Sequence, residues 1–185
     1  MTSASAFPGL DSPGRMAGTI IAGLVIEAAM VWRFGWRSPL AAYSFLAATG
    51  AVLSAADFAA RRVPNLIVLP AYPIAAVLLV IASAPSGWWP LARAGIAAAG
   101  LGGFYLTLGL AFSAGMGLGD VKWAGVLGAY LGWLSWSAIV TGTVMAFLAA
   151  AVVLVAARIA GRRQASMPMV PFMTLGAVVA VLATR

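Results

Sequence analysis

The sequence predicts an all-α, polytopic membrane protein. Of its 185 residues, 63% are hydrophobic and 8% are charged, whereas roughly 25% of the residues in a soluble domain are charged. Charged residues and prolines divide the chain into apolar stretches of roughly 20 residues, the length that an α-helix needs to cross a bilayer. We therefore expect a tail over residues 1–16 and one transmembrane helical domain over residues 17–185.

The apolar stretches predict seven spans. The first four fall at about residues 17–31, 39–56, 65–82 and 94–112. Residues 123–157 carry no charge over 35 positions, which as a single helix would be on the order of 50 Å long, too long for a ~30 Å hydrocarbon core. Two helices that meet near residues 132–136 fit this stretch better, and a last span follows at about 169–183. Six spans are the nearest alternative.

The composition excludes several kinds of chemistry. The chain has no Cys and no His, so thiol nucleophiles, Cys-ligated metals and Ser-His-Asp triads are ruled out. We expect no metal and no cofactor. The net charge of +7 does not indicate a nucleic-acid partner, because the basic residues are scattered among apolar spans. Aspartate, lysine, tyrosine and water remain as possible acid–base groups. The expected partner of the apolar surface is the lipid bilayer.

Two of the four acidic residues, Asp57 and Asp120, lie at the ends of hydrophobic segments. A carboxylate near the bilayer is costly, and one that is present usually faces a wet cavity and has a function. Two predicted spans separate the two aspartates, so both should emerge on the same face of the membrane. If they come within a few ångströms, they cannot both ionise easily, and an acid and a base around one water are what aspartic peptide hydrolysis needs.

The distribution of basic residues favours the aspartate face as the cytoplasmic one, because Lys and Arg collect on that side of membrane proteins. The face that bears the aspartates is predicted to carry Arg15, Arg61, Arg62, Lys122, Arg158, Arg162 and Arg163, and the other face Arg33, Arg37, Arg93 and Arg185.

A glycine-rich run precedes the second aspartate. Gly115, Gly117 and Gly119 allow backbone conformations and close approaches that other residues do not. We expect them to form a tight loop that places Asp120 at the start of the next helix. The spacing of Gly115 and Gly119 also fits a helix-packing motif, but the adjoining Asp, Val and Lys favour a site.

These motifs resemble those of the type IV prepilin peptidases, a family of GxGD intramembrane aspartic proteases. Residues 117–122 resemble the GxGD-x-K motif of that family. Residues 57–65 resemble its first-aspartate motif, an Asp followed by a basic residue, an aliphatic residue, Pro and Asn. Residues 171–176 are similar to a Pro-Phe…Gly stretch in its last helix. The two aspartate motifs in this order, with matching spans between them, are far more specific than a lone GxGD.

The resemblance implies a multi-pass peptidase of the bacterial inner membrane whose active site faces the cytoplasm. Its substrate would be a prepilin or pseudopilin, cut after a short basic leader. The resemblance covers about residues 54–185, a six-helix core to which the first span is an addition. By this resemblance Asp57 and Asp120 are the catalytic pair, and the residues that shape the site are Gly117, Gly119, Lys122, Pro64, Asn65 and Pro171.

The resemblance also suggests that the peptidase does not methylate its product. Larger relatives have a cysteine-containing cytoplasmic insert and methylate the new amino terminus, whereas this chain has neither the insert nor any Cys. It is most similar to the short peptidases of tight-adherence (Flp-type) pilus systems. The sequence leaves the oligomeric state open.

Two functional alternatives remain. A small proton-coupled transporter would also have buried carboxylates and broken helices, but both aspartates lie at one face and the halves show no inverted repeat. A relative that only binds prepilins is the other alternative, and the presence of both aspartates argues against it.

Several single residues also have more than one interpretation. Gly128 and Gly132 favour helix packing over a site. Lys122 is either a charge beside the site or an interfacial anchor. Asn65 could cap the third helix. Glu27 could relay protons, but a bond to a neighbouring helix is favoured.

Overall fold

The computed structural model describes residues 13–85, 87–111, 117–161 and 167–184, and these residues form seven α-helices without a strand. The helices are α1 (Pro13–Phe34), α2 (Pro39–Ala60), α3 (Asn65–Ser83), α4 (Trp89–Ala111), α5 (Leu118–Leu134), α6 (Trp136–Ile159) and α7 (Val170–Ala183). The all-α prediction is confirmed, and so is the division of the long uncharged stretch, which breaks at Ser135. The first helix begins at Pro13, inside the predicted tail, and residues 1–12 lie outside the described residues.

Five of the helices, α1 to α4 and α6, are long and apolar enough to cross a membrane. The protein is therefore a multi-pass membrane protein. The other two are shorter, with 17 residues in α5 and 14 in α7. At ~1.5 Å per residue they are about 25 and 21 Å long, less than a ~30 Å hydrocarbon core.

Helix α5 forms the centre of the bundle. Eleven of its 17 residues are buried, and it contacts α3, α4, α6 and α7. Two glycines of α5 allow it to pack closely against α4. A Cβ added to Gly128 would lie 2.5 Å from the carbonyl oxygen of Ala97 in α4, and one on Gly132 would lie 3.0 Å from that of Arg93. The predicted packing role of Gly128 and Gly132 is confirmed, because only small residues let two helices approach this closely.

Buried side chains join α5 and α2 to their neighbours. The indole Nε1 of Trp123 donates to Oγ1 of Thr174 in α7 at 3.2 Å, and Tyr43 Oη of α2 donates to the backbone carbonyl of Tyr130 at 2.8 Å. A Cβ on Gly50 of α2 would lie 2.6 Å from Cγ2 of Thr174. Helices α2, α5 and α7, which carry the candidate site at one end, are thus fixed to one another inside the bundle.

A hydrogen bond to its one carboxylate links the first helix to α2. Ser44 Oγ of α2 donates to Glu27 Oε1 of α1 at 2.5 Å. The expected bond between Glu27 and a neighbouring helix is therefore confirmed.

Candidate active site

Asp57 and Asp120 line the same cavity, which has a volume of about 440 Å³ and lies where α2 ends and α3, α5 and α7 begin. Both residues are buried, 4% and 8% exposed respectively. They lie close enough for their charges to interact. The structure thus brings together the two carboxylates that the span count places on one face. The other lining residues are Arg61, Arg62, Val63, Asn65, Gly117, Leu118, Gly119, Lys122, Met167 and Met169.

Asp57 is held by the first turn of another helix. It lies in the last turn of α2, and its Oδ2 accepts a hydrogen bond from the backbone N–H of Val170, the first residue of α7, at 3.0 Å. The backbone of Met169 also interacts with this carboxylate. The first N–H groups of a helix have no partner inside the helix and form its positive end. The start of α7 therefore binds the Asp57 carboxylate as it would bind an anion.

Helix α2 extends one turn further than the sequence predicts. It continues past Asp57 to Ala60 and ends because Arg61 adopts a left-handed conformation, with φ 51°. The N–H of Arg61 donates to the carbonyl oxygen of Asp57 at 2.8 Å. The chain can then turn at once towards α3, whose N-cap position is occupied by Pro64.

Asp120 is held by its own helix. It is the third residue of α5, its Oδ2 accepts from the N–H of Gly117 at 3.0 Å, and its N–H donates to the Gly117 carbonyl at 3.0 Å. The bond from the Gly117 amide to Asp120 is one half of a capping box, and the other half is missing because glycine has no side chain to accept from the Asp120 amide. The predicted position of Asp120 at a helix start is confirmed. Gly115 lies outside the described residues.

Only one of the two described glycines of the motif needs to be glycine for steric reasons. A Cβ on Gly119 would lie 2.6 Å from the Cβ of Val63, so the start of α5 packs directly on the loop between α2 and α3. Gly117 has φ −83° and ψ 154°, which any residue can adopt, and a Cβ there would meet nothing closer than 3.8 Å. The close approach that the sequence suggested for these glycines is therefore found at Gly119, and Gly117 uses neither a close approach nor an unusual backbone conformation.

Lys122 and Asn65 meet at the wall of the cavity, where Lys122 Nζ donates to Asn65 Oδ1 at 2.8 Å. This contact favours the interpretation of Lys122 as a charge beside the site. Pro64 occupies the N-cap position of α3, and Asn65 is the first residue of the helix, with its side-chain oxygen accepting from Lys122. The capping interpretation is therefore wrong.

The sequence did not predict that Tyr72 contacts the residues of the site. Its Oη donates to the Lys122 carbonyl at 2.7 Å, and the lack of a side chain at Gly125 makes room for its ring. The spacing of seven residues puts Tyr72 on the same side of α3 as Asn65, which is the signal that could have identified it. Through these two residues α3 is bonded to the first turns of α5.

The two prolines affect the site differently. Pro64 ends the turn after α2 and lies next to the cavity-lining residues Val63 and Asn65. Pro171 does not line the aspartate cavity but a neighbouring groove between α1, α2 and α7. It is the second residue of α7, where a missing N–H costs little, and it directly follows Val170, whose amide binds Asp57.

The geometry has the components for hydrolysis by two carboxylates. Each aspartate is buried, and each has an oxygen fixed by a backbone N–H from the start of a helix. Two carboxylates that share one proton can act as base and acid on a water between them. Over the described ranges, no group of three or more His, Cys, Asp or Glu side chains comes together to hold a metal ion.

Comparison with known proteins gives one match. Residues 44–160 match the family described as the type IV leader peptidase family, and this segment, more than half of the chain, contains both aspartates. No curated protein and no solved structure matches the chain.

The contact between Gly119 and Val63 predicts different effects for the two glycines. Gly119→Ala forces the start of α5 away from the loop, so we expect it to lower the free energy of unfolding by about 1–3 kcal/mol. Gly117→Ala, the matched control, should lower it by no more than about 1 kcal/mol, because alanine meets no close neighbour there and is only a poorer N-cap residue than glycine. Unfolding of both variants in the same detergent measures this, and equal losses would contradict the assigned contact.

Proposed function

The chain belongs to the type IV leader peptidase family, and we propose that it is a membrane-embedded aspartic endopeptidase that removes the basic leader from type IV prepilins or pseudopilins. The observation that carries this proposal is the pair of buried carboxylates, Asp57 and Asp120, on the wall of one cavity at the end of the helical bundle. Family membership supports a leader peptidase function in general. The carboxylate pair supports the aspartic mechanism.

In the proposed mechanism, a water lies between the two carboxyl groups. The ionised aspartate takes a proton from the water as its oxygen attacks the scissile carbonyl carbon, and the protonated aspartate donates a hydrogen bond to the carbonyl oxygen. The carbon–nitrogen bond then breaks, and a proton passes to the leaving amine. The products are the carboxyl end of the leader and the new amino terminus of the pilin.

The charges around the cavity support recognition by shape more than by the charge of the leader. Arg61, Arg62 and Lys122 line the cavity together with the two aspartates, so positive side chains outnumber negative ones. Glu27, which could have attracted a basic leader, is bonded to Ser44 between α1 and α2. The fourth acidic residue, Asp11, lies outside the described residues. The cationic leader would therefore remain in the headgroup region, with the scissile bond entering the cavity.

We propose that the cavity faces the cytoplasm of a bacterial cell, with the protein in the inner membrane. Arg61, Arg62 and Lys122 lie at the aspartate end of the bundle, and Arg33 and Arg93 bond to helix ends at the other. Arg162, Arg163 and Arg185 lie outside the described residues. A cavity at one end of the bundle also favours a peptidase over a transporter, whose site would lie near the midplane.

We further propose that cleavage is not followed by methylation of the new amino terminus. This rests on the sequence, which has no Cys and no cytoplasmic insert. The proposal therefore assigns the chain to the short peptidases, similar to those of tight-adherence pilus systems.

We expect Asp57→Asn and Asp120→Asn each to abolish leader cleavage while the protein stays inserted and folded. Asparagine is nearly isosteric with aspartate but cannot exchange a proton. Co-expression with a prepilin from the same host, scored by loss of the leader on a gel, tests this against the wild-type chain. Cleavage at the wild-type rate by either well-expressed variant would overturn the assignment.

Single cysteines in this Cys-free chain test the orientation. Leu118, which is 69% exposed and lines the cavity, and Trp36, which is 93% exposed in the loop between α1 and α2, should report opposite faces. Leu118→Cys should react with an impermeant maleimide only after the inner face is opened, and Trp36→Cys should react in intact cells. The reverse pattern would show that the cavity faces outwards.

The substrate residue just before the cut should be small. The resemblance to prepilin peptidases implies glycine there, and a cavity walled by Gly117 and Gly119 suits a small residue. Its replacement by Leu should slow cleavage at least tenfold, about 1.4 kcal/mol of barrier. Removing one leader Lys should cost less, because charges among headgroups are screened.

Processing of a prepilin with each change, measured in membranes, decides between the two modes of recognition. If the Lys change were the more damaging, electrostatic capture of the leader would replace steric selection.

A further inference from the structure

The two helices whose first turns hold the two aspartates are also the two shortest helices of the bundle. Helix α5 has 17 residues and begins with the turn that contains Asp120, and α7 has 14 residues and begins with the amide that binds Asp57. Since both helices start at the cavity, their positions along their own axes set where the two carboxylates are held.

An arginine of another helix holds the far end of α7. Arg33, in the last turn of α1, donates from Nε to the carbonyl oxygen of Val181 at 3.1 Å and from Nη2 to that of Thr184 at 2.5 Å. The last carbonyls of a helix have no partner inside the helix and form its negative end. A guanidinium satisfies two of them with a fixed, planar arrangement of donors.

The far end of α5 is held in the same way. Arg93, in the second turn of α4, donates from Nη2 to the carbonyl oxygens of Trp133 at 2.6 Å and of Leu134 at 2.7 Å, and from Nε to that of Gly132. The two contacts are therefore alike, although the arginines come from different helices.

We propose that Arg33 and Arg93 are positioning residues for peptide cleavage. They fix α7 and α5 along their axes. The Val170 amide then stays within hydrogen-bond distance of Asp57, and Asp120 keeps its position on the wall of the same cavity. This inference rests on the proposed function. It assigns to Arg33 and Arg93 a role beyond the membrane topology that their charges alone would indicate.

The lengths of the two helices show why an axial restraint is needed. At about 21 and 25 Å they are shorter than the ~30 Å hydrocarbon core, so their last carbonyls cannot reach water on the far side while their first turns remain at the cavity. Without an arginine, these carbonyls would be satisfied by a shift of the helix towards that side. A shift of ~1 Å at a catalytic site can cost on the order of 100-fold in rate.

The residue Arg37 provides a matched control. It lies four positions after Arg33 at the same end of the bundle and is exposed. Arg33→Gln and Arg37→Gln each remove one positive charge from the same face. Both therefore have the same effect on the charge bias that sets the orientation in the membrane. Only Arg33→Gln removes the bonds to α7.

The test combines kinetics with amide exchange. Leader cleavage of a purified prepilin in proteoliposomes should show a kcat at least tenfold lower for Arg33→Gln, a KM within twofold of wild type, and wild-type values for Arg37→Gln. Amide exchange at Val170, followed by NMR on protein labelled with ¹⁵N-valine, should be at least tenfold faster in Arg33→Gln, although the mutated side chain lies at the other end of α7. A role confined to local packing would change exchange only near Val181.

Arg33→Lys separates positioning from folding. A single ammonium replaces the two-pronged contact, so kcat and the Val170 exchange rate should both fall between those of the wild type and Arg33→Gln. If Arg33→Gln does not insert, Arg33→Lys carries the test alone, and wild-type values for it would overturn the proposal.

The outcomes separate this inference from the proposed function. If the wild-type chain cleaves no prepilin, the proposed function fails, and exchange at Val170 still decides whether Arg33 holds the start of α7. If the wild type cleaves but folded Arg33→Gln cleaves equally well, or loses rate with unchanged exchange at Val170, the positioning role is overturned. Arg93→Gln and Arg93→Lys test α5 in the same way, with exchange at the Gly117 amide as the readout.

Discussion

The hydrogen bond from the Val170 amide to the Asp57 carboxylate is the interaction on which the site depends. It joins the end of α2 to the start of α7, which are 113 residues apart. Asp57 is 4% exposed and Val170 is fully buried, so this carboxylate and this helix start cannot rely on water for all of their hydrogen bonds. Here each satisfies the other, because the helix start supplies N–H groups and positive potential, and the carboxylate supplies acceptors and negative charge. The bond therefore stabilises the fold and positions a candidate catalytic group at the same time.

The other contacts at the site depend on how closely the first turns of α3 and α5 approach this hydrogen bond. Gly119 lets the first turn of α5 rest on Val63, the loop residue that follows α2. Lys122 and Tyr72 then bond α5 to α3 at the same level. Each contact depends on a small residue or a polar side-chain tip near the start of α5, not on an apolar helix face. A cavity for water and peptide can exist at this position because four helix ends meet there without filling the space between them.

The sequence predicted the aspartate pair because acidic residues are rare in this chain and the number of spans between them puts both on one face. It predicted seven helices because charges and prolines mark their ends. It could not distinguish Gly117 from Gly119, since the difference lies in a neighbour, Val63, that is distant in the sequence. The bonds of Arg33 and Arg93 were also beyond prediction. They depend on the axial alignment of helices, whereas the pattern of charges reports only the side of the membrane.

The family-matched segment alone does not account for the candidate site. It ends at residue 160, whereas the amide that binds Asp57 belongs to α7. The far end of α7 is in turn bonded to Arg33 of α1, which precedes the segment. Helix α1 is also bonded to α2 through Glu27 and Ser44. A carboxylate buried at the end of α2 without α7 would lose its backbone donor, and an unpaired buried charge is strongly destabilising. The start of α7 is therefore part of the candidate site, and in the positioning role proposed for Arg33, α1 keeps α7 at the depth where its first amide meets Asp57.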